Sequence, residues 1–260
     1  MNTKNRNVLS KTKSTLHHIG LGILGILTMI GCDKDNTSSE QGKIAISAKG
    51  KFTDTNAKST NTEKEIGANV VLSEFLINLK EFELEFDLEH DDDENEQWDD
   101  DGFFDYEDEI ELEGPFELDL LKGEISFIET TIPVGTYEEI EFKIDKSKDS
   151  ESELFGKSIL IKGTVENVPF VFWHDFDEEI EVDFDDPQTD IVVLENQQNL
   201  TLQFDLTQLL NAAGGVNLSQ AADGNQDGLI EISPTDPDGN NAIADQVKEK
   251  LEHIIDLLDD

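Results

Sequence analysis

Residues 74–88 read EFLINLKEFELEFDL, and this stretch decides the fold class. Over 75–79 the apolar residues Phe75, Ile77 and Leu79 share odd positions, and over 82–88 the apolar residues fall at even positions, with mostly polar residues between them. Such alternation with period two is typical of a β-strand that is buried on one face only. A strand cannot change its buried face without an extra residue, so the switch at Lys80-Glu81 predicts a β-bulge or a strand break.

The same alternation continues on both sides of this stretch and dominates residues 43–206. Segments rich in Gly, Pro, Asn and Asp separate short apolar runs, and no helical pattern lies between them. The remaining predicted strands cover residues 43–48, 116–121, 125–131, 137–144, 158–165, 169–174, 179–184, 191–194 and 200–206. Short strands at this spacing indicate an all-β sandwich or barrel, and we predict an antiparallel β-sandwich over residues 43–211.

Residues 87–111 interrupt the pattern with a run of acidic side chains. One interpretation is a long solvated loop, because like charges repel and order poorly. The other is a cation-binding loop with Trp98, Phe103 and Tyr106 as a contact surface. We favour the solvated loop.

Residues 212–260 carry a different pattern, which begins where the strand rhythm ends. The apolar residues near the C-terminus recur with helical spacing at Ile243, Val247, Leu251, Ile254 and Leu258. This spacing predicts an amphipathic C-terminal helix of about four turns that packs on the core.

The segment DGNQDGLIE, residues 223–231, is the most specific chemical motif of this region. Oxygens at alternate positions converge, a Gly at position six permits a sharp turn, and the carbonyl at position seven adds a ligand. The predicted calcium ligands are Asp223, Asn225, Asp227, Leu229 and Glu231. The segment resembles the first half of an EF-hand or dockerin loop, which implies a structural calcium ion. It departs from that pattern at position twelve, where Pro234 stands in place of Glu, so that Glu231, Asp236 or Asp238 would supply the missing carboxylate. The alternative is a turn without metal.

The first 31 residues form a predicted export signal. They contain four basic residues and no acidic one, and their apolar run over 19–31 is too short to span a bilayer. Residues 29–32, MIGC, resemble the lipobox read by lipoprotein signal peptidase, with Met where Leu is commonest. The resemblance implies cleavage after Gly31 and lipidation of Cys32, which is the only cysteine of the chain.

Residues 32–42 read CDKDNTSSEQG and are predicted to form a flexible tether between the lipid and the fold. The acidic residues behind Cys32 partly resemble the surface-export signal of some Gram-negative lipoproteins. In other groups an Asp at the position of Asp33 retains lipoproteins at the inner membrane. We predict a lipid-anchored protein of the cell envelope, at the outer membrane and exposed on the surface.

The chain is strongly acidic, with 60 acidic residues, 19 basic residues and a formal net charge of −41. Removal of residues 1–31 takes away four basic residues, so the mature net charge is −45. This charge excludes nucleic acid as a partner, because phosphate binding needs a basic surface. The sequence contains no zinc spacing, nucleophile elbow, phosphate-binding loop or dinucleotide motif, so we predict no catalytic residues and a protein that is not an enzyme.

Three further segments are similar to a known family. They read FELDLLKG over 116–123, IPVGTYEEIEF over 132–142 and LTLQFDL over 200–206. Together they resemble a family of bacterial lipoprotein domains of unknown function. The resemblance covers residues 44–210 and implies a β-sandwich, with Pro133, Gly135 and Tyr137 in structural roles and no catalytic residues.

These observations leave three hypotheses for the function. The favoured one is a non-catalytic, lipid-anchored surface module that binds a glycan or a protein, or serves adhesion, and holds a structural calcium ion. The second is a lipoprotein that binds or senses divalent cations. The third is a glycan hydrolase, because two-carboxylate chemistry needs only a correctly spaced acidic pair.

Overall fold

The computed structural model describes residues 8–9, 41–52, 64–66, 69–86, 109–183, 191–211 and 214–259. Over these residues the fold is all-β and sandwich-like with a C-terminal helix, which confirms the predicted fold class. In chain order the strands are β1 Val8–Leu9, β2 Gln41–Lys51, β3 Lys64–Ile66, β4 Val70–Phe86, β5 Glu109–Asp119, β6 Ile125–Pro133, β7 Gly135–Ile144, β8 Ile159–Val165, β9 Val168–His174, β10 Glu178–Asp183, β11 Ile191–Val193, β12 Gln197–Asp205, β13 Ile230–Ile232 and β14 Ile255–Asp259. The helices are α1 Leu206–Leu209 and α2 Asn241–Leu251, and 3-10 turns cover Leu218–Gln220 and Glu252–Ile254.

The strands form two sheets. The larger sheet has the order β1-β10-β7-β4-β8-β9-β13, with β3 and β5 paired to β4 and β11 paired to β7. The smaller sheet has the order β14-β12-β2-β6. Most pairs are antiparallel, as predicted, but β2–β12 is parallel and departs from the predicted antiparallel pairing. The pair β9–β13 is also parallel, and its strand β13 lies outside the predicted sandwich over residues 43–211. Parallel neighbours need a long crossover, and alternation within a strand does not show which distant strand it meets.

Strand β4 lies at the centre of the larger sheet and contains the predicted bulge. Its pairing shifts register between Leu79 and Glu81 against both β5 and β7. The buried residues Leu79 and Phe82 are three positions apart in β4. Their partners in β7, Ile144 and Phe142, are only two positions apart, whereas their partners in β5, Phe116 and Leu112, are four positions apart. The larger sheet therefore bends at this point, and the extra residue in β4 is what moves the buried positions from odd to even numbers.

One hydrophobic cluster joins both sheets and both helices. Its largest fully buried side chains are Tyr137, Phe75, Phe82, Phe142, Phe172 and Phe204. The C-terminal segment contributes as well, since β13 pairs with β9 and β14 pairs with β12. The two sheets thus share a single core that the last residues of the chain help to close.

The C-terminal helix is shorter than the predicted four turns. Helix α2 ends at Leu251, and residues 255–259 form β14, which pairs with β12. The prediction that Leu258 continues the helical face was wrong. The sequence Ile255-Asp-Leu257 also alternates, with Ile255 and Leu257 buried, and the open edge of β12 offers backbone hydrogen bonds that a helix could not use.

Several predicted segments lie mainly outside the described residues. These include Cys32, most of the predicted signal segment and residues 87–108 of the acidic loop. Within the predicted signal segment, Val8–Leu9 lies antiparallel to β10, and strand β2 already begins at Gln41. No helix among the described residues is long and apolar enough to cross a membrane.

Candidate metal centre

Glutamates of four neighbouring strands meet on one face of the larger sheet. Beyond the bulge, Phe82 and Leu84 of β4 are buried, so the residues between them point to the opposite face. The backbone register places two rows of residues across the sheet, Glu113–Glu81–Lys143–Glu179 and Glu111–Glu83–Glu141–Glu181, and a pair, Glu85–Glu139, next to them. We call these ten residues the acidic face. Like charges directly opposite each other destabilise a sheet, so this arrangement has an electrostatic cost.

Three carboxylates of the acidic face converge on one point. Glu139 and Glu141 project from β7, and Glu181 projects from β10 directly opposite Glu141. One ligand oxygen from each of the three lies within 4.8 Å of the other two. We call these three residues the glutamate triad. Among the described residues, this is the one group of three carboxylate, His or Cys side chains that converges in this way.

The spacing of the triad fits a divalent cation. A calcium ion sits about 2.4 Å from each ligand oxygen, so two oxygens on one ion are at most about 4.8 Å apart. Glu181 is 4 % exposed and Glu139 and Glu141 are half-buried, so the triad is partly shielded from water. The three residues can hold a metal ion, with water completing the coordination shell.

The proton affinity of the triad reflects this crowding. Burial raises the pKa of Glu139 to about 8, and a hydrogen bond to Glu141 and the negative charges of Glu181 and Glu85 act in the same direction. Near neutral pH the triad therefore keeps a proton, which the hydrogen bond between Glu139 and Glu141 holds. A bound cation would lower the pKa of these carboxyl groups and displace the proton, because its positive charge offsets their mutual repulsion.

The opposite end of the acidic face is compensated by lysines. Lys80, in the bulge, contacts Glu81 at 3.0 Å, and Lys143 lies 3.8 Å from Asp177. The pKa of Glu81 is lowered, first by a hydrogen bond with Glu83 and also by Lys80 and Lys143. A small depression between these residues is lined by Glu81, Glu83, Glu141, Phe142, Lys143 and Glu179. Lysine side chains thus offset part of the negative charge at this end of the face.

We expect the triad to make the fold less stable as the pH rises. The pKa of Glu139 is 4.5 in the unfolded chain and about 8 in the folded one, so its contribution to stability is complete below 4.5 and is lost as the pH rises through 8. Because Glu139 keeps contact with solvent, we expect Glu139→Gln to gain only about 1 kcal/mol above pH 8, a rise in melting temperature of about 2–4 °C. Melting curves across this range test the prediction, with Glu129→Gln as the control, because Glu129 is an exposed glutamate of β6. An equal gain in both variants would contradict it.

The predicted calcium loop forms a compact turn whose side chains bond to its own backbone. Asp223 accepts hydrogen bonds from the backbone N–H groups of Asp227 and Gly228, at 3.1 and 2.8 Å. Asn225 accepts from the same Asp227 N–H at 2.9 Å, and Asp227 accepts from the N–H of Leu229 at 2.9 Å. Three of the five predicted ligands thus accept hydrogen bonds from the backbone of the same turn, and these are Asp223, Asn225 and Asp227.

A second acidic segment closes this loop. The carboxylate of Asp238 accepts hydrogen bonds from the N–H groups of Asn225 at 3.0 Å and Glu231 at 2.7 Å. The pKa of Glu231 is raised, first by burial and then by Asp238, Asp227 and Asp236, which places its side chain near these charges. Gly224 allows the two segments to touch, because a Cβ atom there would lie 2.4 Å from the carbonyl oxygen of Asp238. The structure thus gathers the predicted ligands in one region, but their carboxylates do not converge as the glutamate triad does.

None of the three triad glutamates was predicted as a site residue from the sequence. The available signal was the alternation of Glu with apolar residues in four separate segments, 81–85, 109–113, 139–141 and 179–181. This pattern shows which residues share a face of each strand. It predicts a site only when the pairing of the four strands is known, because the pairing brings the glutamates together.

No family model, curated protein or solved structure matches this chain. The resemblance of its motifs to a family of lipoprotein domains therefore stays a prediction.

Proposed function

We propose that this chain is a lipid-anchored protein of the cell envelope that binds divalent cations on the acidic face. The convergence of Glu139, Glu141 and Glu181 within 4.8 Å is the observation that carries the proposal. Hard cations such as calcium and magnesium prefer carboxylate oxygens, and the triad offers only such ligands. This favours the second of the three functional hypotheses.

Calcium fits the triad better than magnesium does. Magnesium demands near-ideal octahedral geometry and keeps several waters, whereas calcium accepts six to eight oxygens in flexible arrangements. The triad residues come from two strands of a twisted sheet, and Glu85 and Glu83 lie opposite Glu139 and Glu141 as further oxygen donors. Calcium also relieves the self-repulsion of a chain that carries 60 acidic residues.

A structural calcium ion at residues 223–231 is the second part of the proposal. The loop keeps its acidic oxygens on one turn, and Glu231 lies close enough to Asp238, Asp227 and Asp236 to have a raised pKa. A cation bound by Asp223, Asn225, Asp227, the carbonyl of Leu229 and Glu231 would offset this repulsion. Residues 223–231 connect the core to β13, so the ion would stabilise the fold.

The location of the protein rests on the sequence alone. Three statements stay predictions: cleavage after Gly31, lipidation of Cys32 and anchoring at the outer membrane. Cleavage would also remove Val8–Leu9, which pair with the outer edge of β10. Binding of a glycan or a protein also stays a prediction: Trp98 lies outside the described residues, and Trp173 is half-buried in β9. The hydrolase hypothesis is untested as well.

Melting curves in calcium and in EDTA test the two proposed ion sites separately. We expect calcium to raise the midpoint, because a ligand at a hundred times its dissociation constant stabilises the fold by about 2.7 kcal/mol. Asp223→Ala/Asp227→Ala should lose the part of this shift that arises from the loop, and Glu139→Gln/Glu141→Gln/Glu181→Gln should lose the part that arises from the triad. A shift that neither variant reduces would reject both sites.

A further inference from the structure

His174 is a buried histidine at the end of β9, beneath the C-terminal helix. It is 8 % exposed, and its carbonyl oxygen accepts hydrogen bonds from both the N–H and the hydroxyl of Ser158, at 2.9 and 3.1 Å. These two bonds tie the His174 backbone to the start of β8. The backbone of His174 is therefore fixed at the end of β9.

The ring of His174 is held in its neutral form. Its Nδ1 atom accepts a hydrogen bond from the backbone N–H of Asp175 at 2.9 Å, so Nδ1 carries no proton and Nε2 does. The ring also meets Phe176 edge-on, with 5.1 Å between the two ring centroids. A proton on Nδ1 would place two donors against each other and break the bond to Asp175.

Helix α2 brings a fixed positive charge to the same place. The Lys248 ammonium lies 5.8 Å from the centre of the Phe176 ring and 2.9 Å from a carboxylate oxygen of Glu178. The side chains of Val247 and Leu251 on this helix are buried in the core. The charged groups around His174 are Asp175, Asp245, Lys248 and Glu178.

We propose that the protonation state of His174 controls how tightly helix α2 packs against β9, and we call this device the latch. The helix packs tightly when His174 is neutral and loosens when Nδ1 binds a proton. The proton comes from solvent and converts the imidazole into an imidazolium. Nδ1 then changes from acceptor to donor, and the carboxylate of Asp175, 3.8 Å away, is the acceptor within reach. The Asp175 N–H loses its partner, and the new cation repels Lys248, so α2 packs less tightly against β9.

The surroundings of His174 give this latch its direction. Burial lowers the pKa of His174 below 6.5, Lys248 lowers it further, and Asp175 and Asp245 oppose the shift. Because the folded-state pKa is below that of the unfolded chain, stability is lost as the pH falls from 6.5 through the folded pKa. The same fall in pH protonates the glutamate triad, which acts in the opposite direction, so the latch must be measured locally.

Amide hydrogen exchange resolved by residue tests the latch in the purified protein. We expect the protection of residues 244–251, corrected for intrinsic exchange, to fall several-fold between about pH 7.5 and about pH 5.5. His174→Asn keeps an acceptor near the position of Nδ1 but cannot bind a proton, so its protection should not change over this range. His253→Asn is the matched control, because His253 is exposed in the same segment, and it should behave as the unaltered protein does.

Nitrogen-15 NMR of the unaltered protein gives a second readout that does not depend on a variant. We expect the pKa of His174 to lie below 6.5, with the proton added at Nδ1. The latch is overturned if the loss of protection persists in His174→Asn, if it spreads equally over β4 and β8, or if His174 binds its second proton at or above 6.5.

Discussion

Phe82→Ala should lower the free energy of unfolding by about 3–5 kcal/mol, as expected for truncation of a buried Phe. Phe82 is fully buried, and its backbone lies between Leu112 of β5 and Phe142 of β7 in the first buried layer beyond the bulge. The smaller side chain leaves a cavity at the centre of the larger sheet, where neighbours on both sides are fixed by backbone pairing. Denaturant unfolding with an unchanged slope measures the loss.

Glu85→Gln is the matched control, because Glu85 lies three residues along the same strand but on the acidic face. Its charge opposes the ionisation of Glu139, so its removal should leave the stability unchanged or raise it slightly. Two adjacent parts of one strand should thus respond with different signs. A loss in Glu85→Gln comparable to that in Phe82→Ala would contradict the assignment of buried and acidic faces.

Tyr137→Ala should be the other variant with a large loss of stability, about 3–5 kcal/mol. Tyr137 is fully buried at the start of β7, and its hydroxyl donates a hydrogen bond to the carbonyl oxygen of Pro133 at 2.9 Å. The bond holds the turn that joins β6 of the smaller sheet to β7 of the larger sheet. Truncation removes both the ring from the core and the link between the sheets.

Tyr137→Phe separates these two contributions. It keeps the ring and removes only the hydroxyl, so we expect a loss of about 1 kcal/mol from the missing hydrogen bond. Denaturant unfolding of the two variants gives the comparison. Equal losses in Tyr137→Phe and Tyr137→Ala would show that the ring contributes nothing, which would contradict its place in the core.

Most of the strands could be predicted because burial on one face imposes alternation on the sequence. The switch of parity at Lys80-Glu81 correctly indicated the bulge in β4. Pairing direction could not be predicted, because β2 and β12 contain no local signal that they lie side by side in parallel. The last strand could not be predicted, because residues 254–258 satisfy helical spacing and strand alternation almost equally and the open edge of β12 decides between them.

The candidate sites divide in a similar way. The loop at 223–231 could be found from the sequence because its predicted ligands lie within nine consecutive residues. Their spacing along the chain is therefore enough to indicate that their oxygen atoms can converge. The glutamate triad could not, because Glu181 is distant in sequence from Glu139 and Glu141 and meets them only through the pairing of β10 with β7. His174 could not be identified from the sequence either, because its surroundings depend on Asp175, Phe176 and Lys248, which meet it in space.

A calorimetric titration of calcium into the EDTA-stripped protein tests the central claim most directly. It should be run near pH 8 in about 0.15 M salt, which screens diffuse attraction between the cation and an acidic surface. Two variants serve as a matched pair: Glu139→Gln/Glu141→Gln/Glu181→Gln removes the triad, and Glu111→Gln/Glu113→Gln/Glu179→Gln removes the same number of carboxyl groups from elsewhere on the acidic face. We predict that the triad variant binds one calcium ion fewer, whereas the matched variant keeps the full number with at most a modest loss of affinity. Equal binding by the two variants, or no binding by the unaltered protein, would contradict the claim that the glutamate triad is a cation site.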